Sequence, residues 1–257
     1  MKTVAIIQAR MASTRLPGKI LIDLAGRPLL HHVVARAGQA KTLDQVIVAT
    51  TDSATDDETA QYCRQVSIPC FRGSEDDVLD RYYQSAKRFE ADVVVRLTAD
   101  CPLQDPEVID KVVRVFNTGD YDYVSNTIDP TYPDGLDTEV FSRLALERAW
   151  QEAALKSERE HVTPYIWKHP TLFRLANVRN DIDLSKLRWT VDERQDLEFV
   201  RAVYVHLAHT PAFGMKQLLD LLDKHPELTE INAHFGRNEG YEKSLRADAL
   251  AEERGAQ

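Results

Sequence analysis

Three cations stand within ten residues of one another, with no acid between them, in AIIQARMASTRLPGKIL, residues 5 to 21: Arg10, Arg15 and Lys19. A guanidinium grips a phosphate through two parallel N–H bonds, and an ammonium adds a mobile point charge. Ser13, Thr14 and Gly18 offer hydroxyl and backbone N–H donors in the same stretch. The segment reads as a polyphosphate cradle, with a solvated turn carrying incidental cations as the alternative. It is neither a P-loop nor a dinucleotide fingerprint, because Gly18-Lys19 lacks the upstream glycine spacing and no G-x-G-x-x-G follows the first apolar run.

Acids that answer such a cradle are spaced far along the chain. Asp100 ends the apolar run of RLTADCPL, where a carboxylate is either a ligand for a hard divalent cation or an acceptor for backbone N–H in the DCP turn. Asp192 follows LRWTV and reads either as a second metal carboxylate or as a helix N-cap, with Asp196 one turn on. Asp137 and Glu139, two apart in PDGLDTEV, point to one side of a strand and serve a sugar-like substrate, assist a metal, or are simply solvated. His161 in REHVTPY, with Arg159 beside it, is a candidate for holding an acidic or hydroxylated substrate, against a structural role. Cys101 has no adjacent base to activate it and reads as buried rather than nucleophilic. His31 and His32 fall in an apolar helix and read as packing or surface residues.

These residues need a scaffold that brings strand ends together. Apolar runs at residues 3–7, 45–50, 67–71 and 91–100 alternate with helical patterns at 28–39, from Thr55 to Arg64, from Ser74 to Phe89 and after Asp105-Pro106. Thr55 with Glu58 and Ser74 with Asp77 read as capping pairs. Such alternation predicts a layered α/β/α fold with a mostly parallel sheet. Residues 119–141 are richer in aromatic, Pro, Asp and Gly residues and predict a small strand-rich arm. Its aromatics, Tyr121, Tyr123, Tyr132 and Phe141, pack either internally or against a partner. Helices are expected at 142–155, 158–168, 193–209 and over MKQLLDLLDKH, with a strand at 173–178. The organisation expected is one domain over 1–238, containing a substrate or dimer-arm region at 119–180, and a polar tail over 239–257.

A net charge of −9 argues against a broad nucleic-acid surface but is compatible with one basic pocket for a small anion. The segment MKTVAIIQAR is too short in apolar residues for a signal peptide, and no run approaches the roughly 20 residues of a membrane span. A cytoplasmic location with free thiols at Cys63, Cys70 and Cys101 is expected, with no nucleic-acid or membrane partner.

Five segments in order, IIQARMASTRLPGKIL, RLTADCPL, YPDGLDTEVF, REHVTPYI and WTVDERQDLEFV, resemble the cytidylyltransferase family of the spore coat polysaccharide (SpsF) type. More distantly they resemble enzymes that activate Kdo and sialic acid as CMP-sugars. The likeness covers about residues 3–208 and implies a nucleotide-diphospho-sugar transferase fold and transfer of CMP from CTP to an anionic acceptor. By that resemblance Ala9, Arg10, Ser13, Arg15 and Lys19 match the nucleotide-binding loop, with Lys19, Arg15 and Asp100 catalytic. Asp100 and Asp192 match the carboxylates that hold Mg²⁺, Asp137, Glu139, Arg159 and His161 lie in the acceptor region, and a homodimer is implied. Two departures, Ala99 where sugar-activating relatives have glycine and Cys101-Pro102 in place of a more acidic turn, point away from Kdo and sialic acid. The rival readings are a glycosyltransferase that uses a nucleotide-sugar on the same fold, and a non-catalytic nucleotide-binding protein.

Overall fold

A computed structural model of the chain describes residues 1–210 and 212–255. The first strand, β1 (Thr3–Gln8), is buried through residue 7, and its side chains alternate between two cores. Ala5 and Ile7 face one cluster, while Val4 and Ile6 face the other. A strand covered on both faces reads as a continuous apolar run, which is what TVAII is. A short ribbon, β2 (Asp23–Leu24) with β3 (Arg27–Pro28), follows and leads into α1 (Leu29–Ala37).

Next come β4 (Gln45–Thr51), α2 (Asp57–Gln65), β5 (Cys70–Gly73), α3 (Val78–Arg88), β6 (Val93–Thr98) and α4 (Pro106–Thr118). Each crossover is a helix, so β1, β4, β5 and β6 pair in parallel. The remaining strands are β7 (Tyr123–Ser125), β8 (Glu139–Ser142) and β9 (Leu175–Asn177). They join the same sheet, which runs β5-β4-β1-β6-β8-β7-β9. β8 is antiparallel to both β6 and β7, and β9 is parallel to β7. The chain winds outward from β1 through β4 to β5, then returns to β6 on the other side of β1. That reversal opens a crevice beyond the carboxyl ends of β1 and β6.

Between β8 and β9 lie α5 (Arg143–Glu152), α6 (Lys156–His161) and α7 (Pro164–Trp167). The single helix expected over 158–168 is therefore two, broken where Val162 takes φ +73°. The chain ends with α8 (Arg194–His206), α9 (Met215–Lys224), α10 (Glu227–Glu230) and α11 (Glu239–Gly255). The segment read as a polar tail is thus helical. One core packs α1, α4, α8 and α9 on one face of the sheet, and the other packs α3, α5 and α7 on the opposite face.

The aromatics of residues 119–141 are mostly interior. Tyr123, Tyr132 and Phe141 are buried within the protein's own cores, which removes them as a partner surface. The reason is that β7 and β8 enter the main sheet instead of projecting from it. Two caps also differ from expectation. Asp77, not Ser74, caps α3 by accepting from the Asp80 N–H at 2.9 Å. The Thr55–Glu58 box is unused, because Asp56 turns inward and accepts from the Thr51 hydroxyl and from the Met11 N–H at 2.9 Å. Asp105 caps α4 as expected, with Pro106 opening the helix.

Candidate active site

The loop that leaves β1 is built on itself. Met11 O accepts from Ser13 N at 2.8 Å and from Gly18 N at 3.0 Å, and the Asp56 bond fixes Met11 from below. Gly18 takes φ +70°, which a side chain resists, and so lets the chain double back over Met11. The Ser13 hydroxyl accepts from Leu16 N at 3.3 Å. The turn delivers Lys19 into the interior beside Ile20, on the face of the sheet that carries α1 and α8.

Lys19 Nζ donates to Asp100 Oδ2 at 2.7 Å, Asp192 Oδ1 at 2.8 Å and Val191 O at 2.9 Å. All three ammonium protons have acceptors, so the charge is fully engaged although the side chain is buried. Burial alone pulls its pKa down, but Asp100 and Asp192 together outweigh that and hold it above the ordinary lysine value. Burial likewise pushes Asp100 up, and the Lys19 charge and hydrogen bond win, holding its carboxyl at about 2. Both groups are charged at neutral pH.

Arg15 closes the same cluster from outside, at 2.9 Å from Asp192, 3.4 Å from Glu193 and 3.1 Å from Glu239. Arg10 is half-exposed and, among the described residues, has one acidic partner, Glu160, loosely at 4.0 Å. Beneath Asp192 lies Arg188, which sequence reasoning missed. It donates to Asp134 at 3.1 Å, Asp192 at 3.1 Å, Asp196 at 2.9 Å and Gly236 O at 2.9 Å. Its position four residues before Asp192 was the available signal.

The capping reading of Asp192 is corrected by the same cluster. Asp196, fully buried, accepts from the N–H groups of both Asp192 and Glu193 at 2.9 Å, so it reaches back to cap α8. Asp192 is thereby left free to face Lys19 and Arg15.

These groups line a cavity of about 920 Å³ at the crevice. Ala9, Arg10, Ser13, Arg15, Lys19, Asp100, His161 and Asp192 form its wall, joined by residues of α11 that no motif had marked. Asp137, Glu139 and Arg159 are not on that wall. Glu139 is buried against Arg96, with the Tyr123 hydroxyl donating at 2.6 Å and Thr163 Oγ1 at 2.5 Å. Asp137 pairs with Arg237. Arg159 ties α6 to α3 through Asp77 at 2.6 Å. His161 reaches the cavity but is held by Ser244 Oγ at 3.0 Å, and burial, with the nearby Arg96 charge, lowers its pKa to about 4, so it is a neutral imidazole. Cys101 is buried, and burial beside Asp100 pushes its thiol well above the ordinary value, which fits its inert reading.

The cavity thus has a cationic lip formed by Arg10 and Arg15 and a floor where two carboxylates converge on one point, the Lys19 ammonium. Among the described residues, no group of three His, Cys, Asp or Glu side chains is arranged to hold a metal ion. Two convergent carboxylates are nonetheless the oxygen donor set a hard cation takes when phosphate and water fill its other positions.

Residues 4–230 match the profile of a protein family described as Cytidylyltransferase. The chain belongs to the cytidylyltransferase family. It is an enzyme of the nucleotidyltransferase class. The chain is 36% identical over 231 residues to the spore coat polysaccharide biosynthesis protein SpsF of Bacillus subtilis, covering 86% of this chain and 94% of that one. It is 39% identical over 236 residues to an uncharacterized protein of Methanocaldococcus jannaschii, covering 91% and 96%. Among solved structures, a cytidylyltransferase from Leptospira borgpetersenii superposes with a TM-score of 0.84 at 33% identity, over 89% of this chain and 97% of that one. A CMP-2-keto-3-deoxy-manno-octonic acid synthetase complexed with CTP shares the fold, with a TM-score of 0.62 at 21% identity over 80% of this chain and 99% of that one. This cytidylyltransferase extends past the family match by an entire helix, α11, which lies against the cavity.

Proposed function

We propose that this cytidylyltransferase transfers CMP from CTP to an anionic acceptor, a sugar acid, polyol phosphate or phosphonate, and releases pyrophosphate. The observation that carries the reading is the cavity at the sheet's reversal point, where Arg10, Arg15 and Lys19 stand across from Asp100 and Asp192. An acceptor oxygen attacks the α-phosphorus, a new P–O bond forms, and the bond to the bridging oxygen of the β-phosphate breaks with its electrons leaving on pyrophosphate. Arg10 and Arg15 bind and neutralise the triphosphate and the leaving group. Ala9 and Ser13 line the wall beside it.

Asp100 and Asp192 would hold Mg²⁺, which supplies positive charge to the phosphate oxygens. Lys19 holds Asp100 ionised and ties the two carboxylates to one point. Relatedness to SpsF supports a place in polysaccharide biosynthesis, and the family resemblance supports a homodimer, which sedimentation at working concentration tests.

The test is a pyrophosphate-release screen of CTP and Mg²⁺ against sugar acids, phosphopolyols and phosphonates. Release that requires both CTP and one acceptor is expected, with Asp100→Asn at least about a hundredfold slower. Turnover of a nucleotide-sugar without pyrophosphate release would instead make this a glycosyltransferase.

A further inference from the structure

Part of the cavity wall is a helix that, among the described residues, contributes to neither core. Glu239, Gly240, Lys243 and Ser244 of α11 line the cavity together with the loop that carries Arg15. Only Ser244 of the helix's described residues is buried, and Leu245 and Leu250 are exposed. Apolar burial therefore holds the helix little, and its fastening to α6 is polar. The Ser244 hydroxyl lies 3.0 Å from His161 Nε2 and donates to Glu160 at 3.0 Å, and the Asp248 carboxylate accepts from Ser157 N at 3.2 Å. Tyr241 sets its ring against His161 and Trp167, yet its hydroxyl is buried with no hydrogen-bond partner among the described residues. Docking leaves that group unpaired, and release to water would satisfy it.

The chain is anchored firmly up to the residue before this helix. Arg188 holds Gly236 O at 2.9 Å, and Arg237 donates to Tyr132 O at 3.0 Å and pairs with Asp137. Asn238 then takes φ +63°, in the left-handed region, and α11 begins at the next residue. Anchored chain and weakly held helix meet at Asn238, which is the natural pivot. Glu239 ties the helix to the cationic loop: its Oε2 takes Arg15 at 3.1 Å while its Oε1 accepts from Gly236 N at 3.2 Å. Turning that carboxylate away from Arg15 also breaks the bond that sets the start of the helix, so contact and docking go together.

We propose that α11 is an autoinhibitory strap: docked on α6 it holds Arg15 through Glu239, and a triphosphate that takes Arg15 releases the helix about Asn238. The proposal rests on the reading of Arg15 as a triphosphate ligand. A phosphate oxygen and the Glu239 carboxylate carry the same sign and compete for one guanidinium. Once Arg15 is taken, the contacts that remain are few and partly exposed, a class of interaction worth little. Linkage then works in both directions. Whatever loosens the docked helix tightens nucleotide binding, because apparent affinity scales with the fraction of molecules already open.

Backbone hydrogen exchange over residues 239–250 is followed by mass spectrometry on the full chain, alone and saturated with CTP or inorganic tripolyphosphate, for wild type and Asp248→Ala. Affinities for both ligands are read by calorimetry. Exchange in the wild-type helix is expected to speed up at least about tenfold with either ligand. Asp248→Ala, which alters the docking contact at Ser157, is expected to exchange fast without ligand and to bind CTP up to about fivefold tighter. Unchanged or slower exchange in the wild-type complexes overturns the proposal, by making α11 a fixed wall or a cover that closes on the nucleotide, and needs no variant. A fast-exchanging helix in Asp248→Ala with no gain in affinity also overturns it, by uncoupling docking from binding. Wild type that binds neither CTP nor tripolyphosphate overturns the nucleotide reading itself, whereas binding with an unmoved helix overturns the strap alone.

Discussion

Lys19 places its three protons on Asp100, Asp192 and a main-chain carbonyl, all within 2.9 Å. Removing the ammonium strips Asp100 of its ion-pair partner and leaves Asp192 to Arg15 and Arg188. Lys19→Met is expected to cost about 3–5 kcal/mol, the range for breaking a buried ion pair from one side, as read by urea unfolding. Asp100→Asn, which keeps an acceptor for Lys19, is expected to lose far less stability while abolishing most turnover. His161 gives a pH signature. Its folded pKa of about 4 lies below the unfolded value of 6.5, so its contribution is present above pH 6.5 and is lost as pH falls toward 4. Melting temperature is expected to fall across that window, and His161→Gln to flatten the fall; an identical profile in the variant would remove His161 as its source. At this scale the chain's cation-rich loop and its strand-end acid were legible because residue type and local spacing carried them. The partners were not: Arg188, Arg96 and Arg237 neutralise Asp192, Glu139 and Asp137 through contacts that mostly span tens of residues.

Caps separate the elements that could be read from those that could not. Asp105-Pro106 opens α4 as written, since both signals are adjacent to the helix they start. The start of α8 misled because two acids one turn apart compete for the role, and burial decides it: Asp196 takes both N–H groups while also pairing with Arg188 and Asn232. Asp196→Ala should therefore cost more than a surface cap, at least about 3 kcal/mol, and raise KM by releasing Asp192; a loss near 1 kcal/mol in chemical denaturation would mean the cap acts alone. The helix α11 escaped sequence reading because its pattern is polar on nearly every side. It is fastened by specific contacts instead: Glu239 to Arg15, Ser244 to His161 and Asp248 to Ser157 N. Glu239 competes with an incoming phosphate for the same guanidinium. Glu239→Gln is expected to tighten CTP binding by up to about fivefold, the worth of a partly exposed ion pair, and unchanged affinity in calorimetry would show that Arg15 is not contested.

At the scale of the whole molecule, the layered α/β arrangement was the most legible feature, because continuous apolar strands alternating with amphipathic helices admit few other solutions. The antiparallel entry of β8 beside β6 was less so, since a four-residue strand carries little directional information. CTP bound only by the folded state should stabilise the whole sheet, by about 2.7 kcal/mol at a hundredfold excess over Kd, or roughly 2–4 °C in Tm per kcal/mol. A Tm shift in CTP larger than that in an equal concentration of UTP is the outcome expected of a cytidylyltransferase. The cavity's charged groups also come from points very far apart along the chain. Lys19 meets Asp192 across 173 residues, and Arg15 meets Glu239 across 224. Loop closure over such separations is slow, so the parallel strands near the amino end can pair long before the site exists. During synthesis the cationic loop leaves the ribosome long before the acids that pair with it, so the capacity to bind nucleotide is a late event in the birth of the protein.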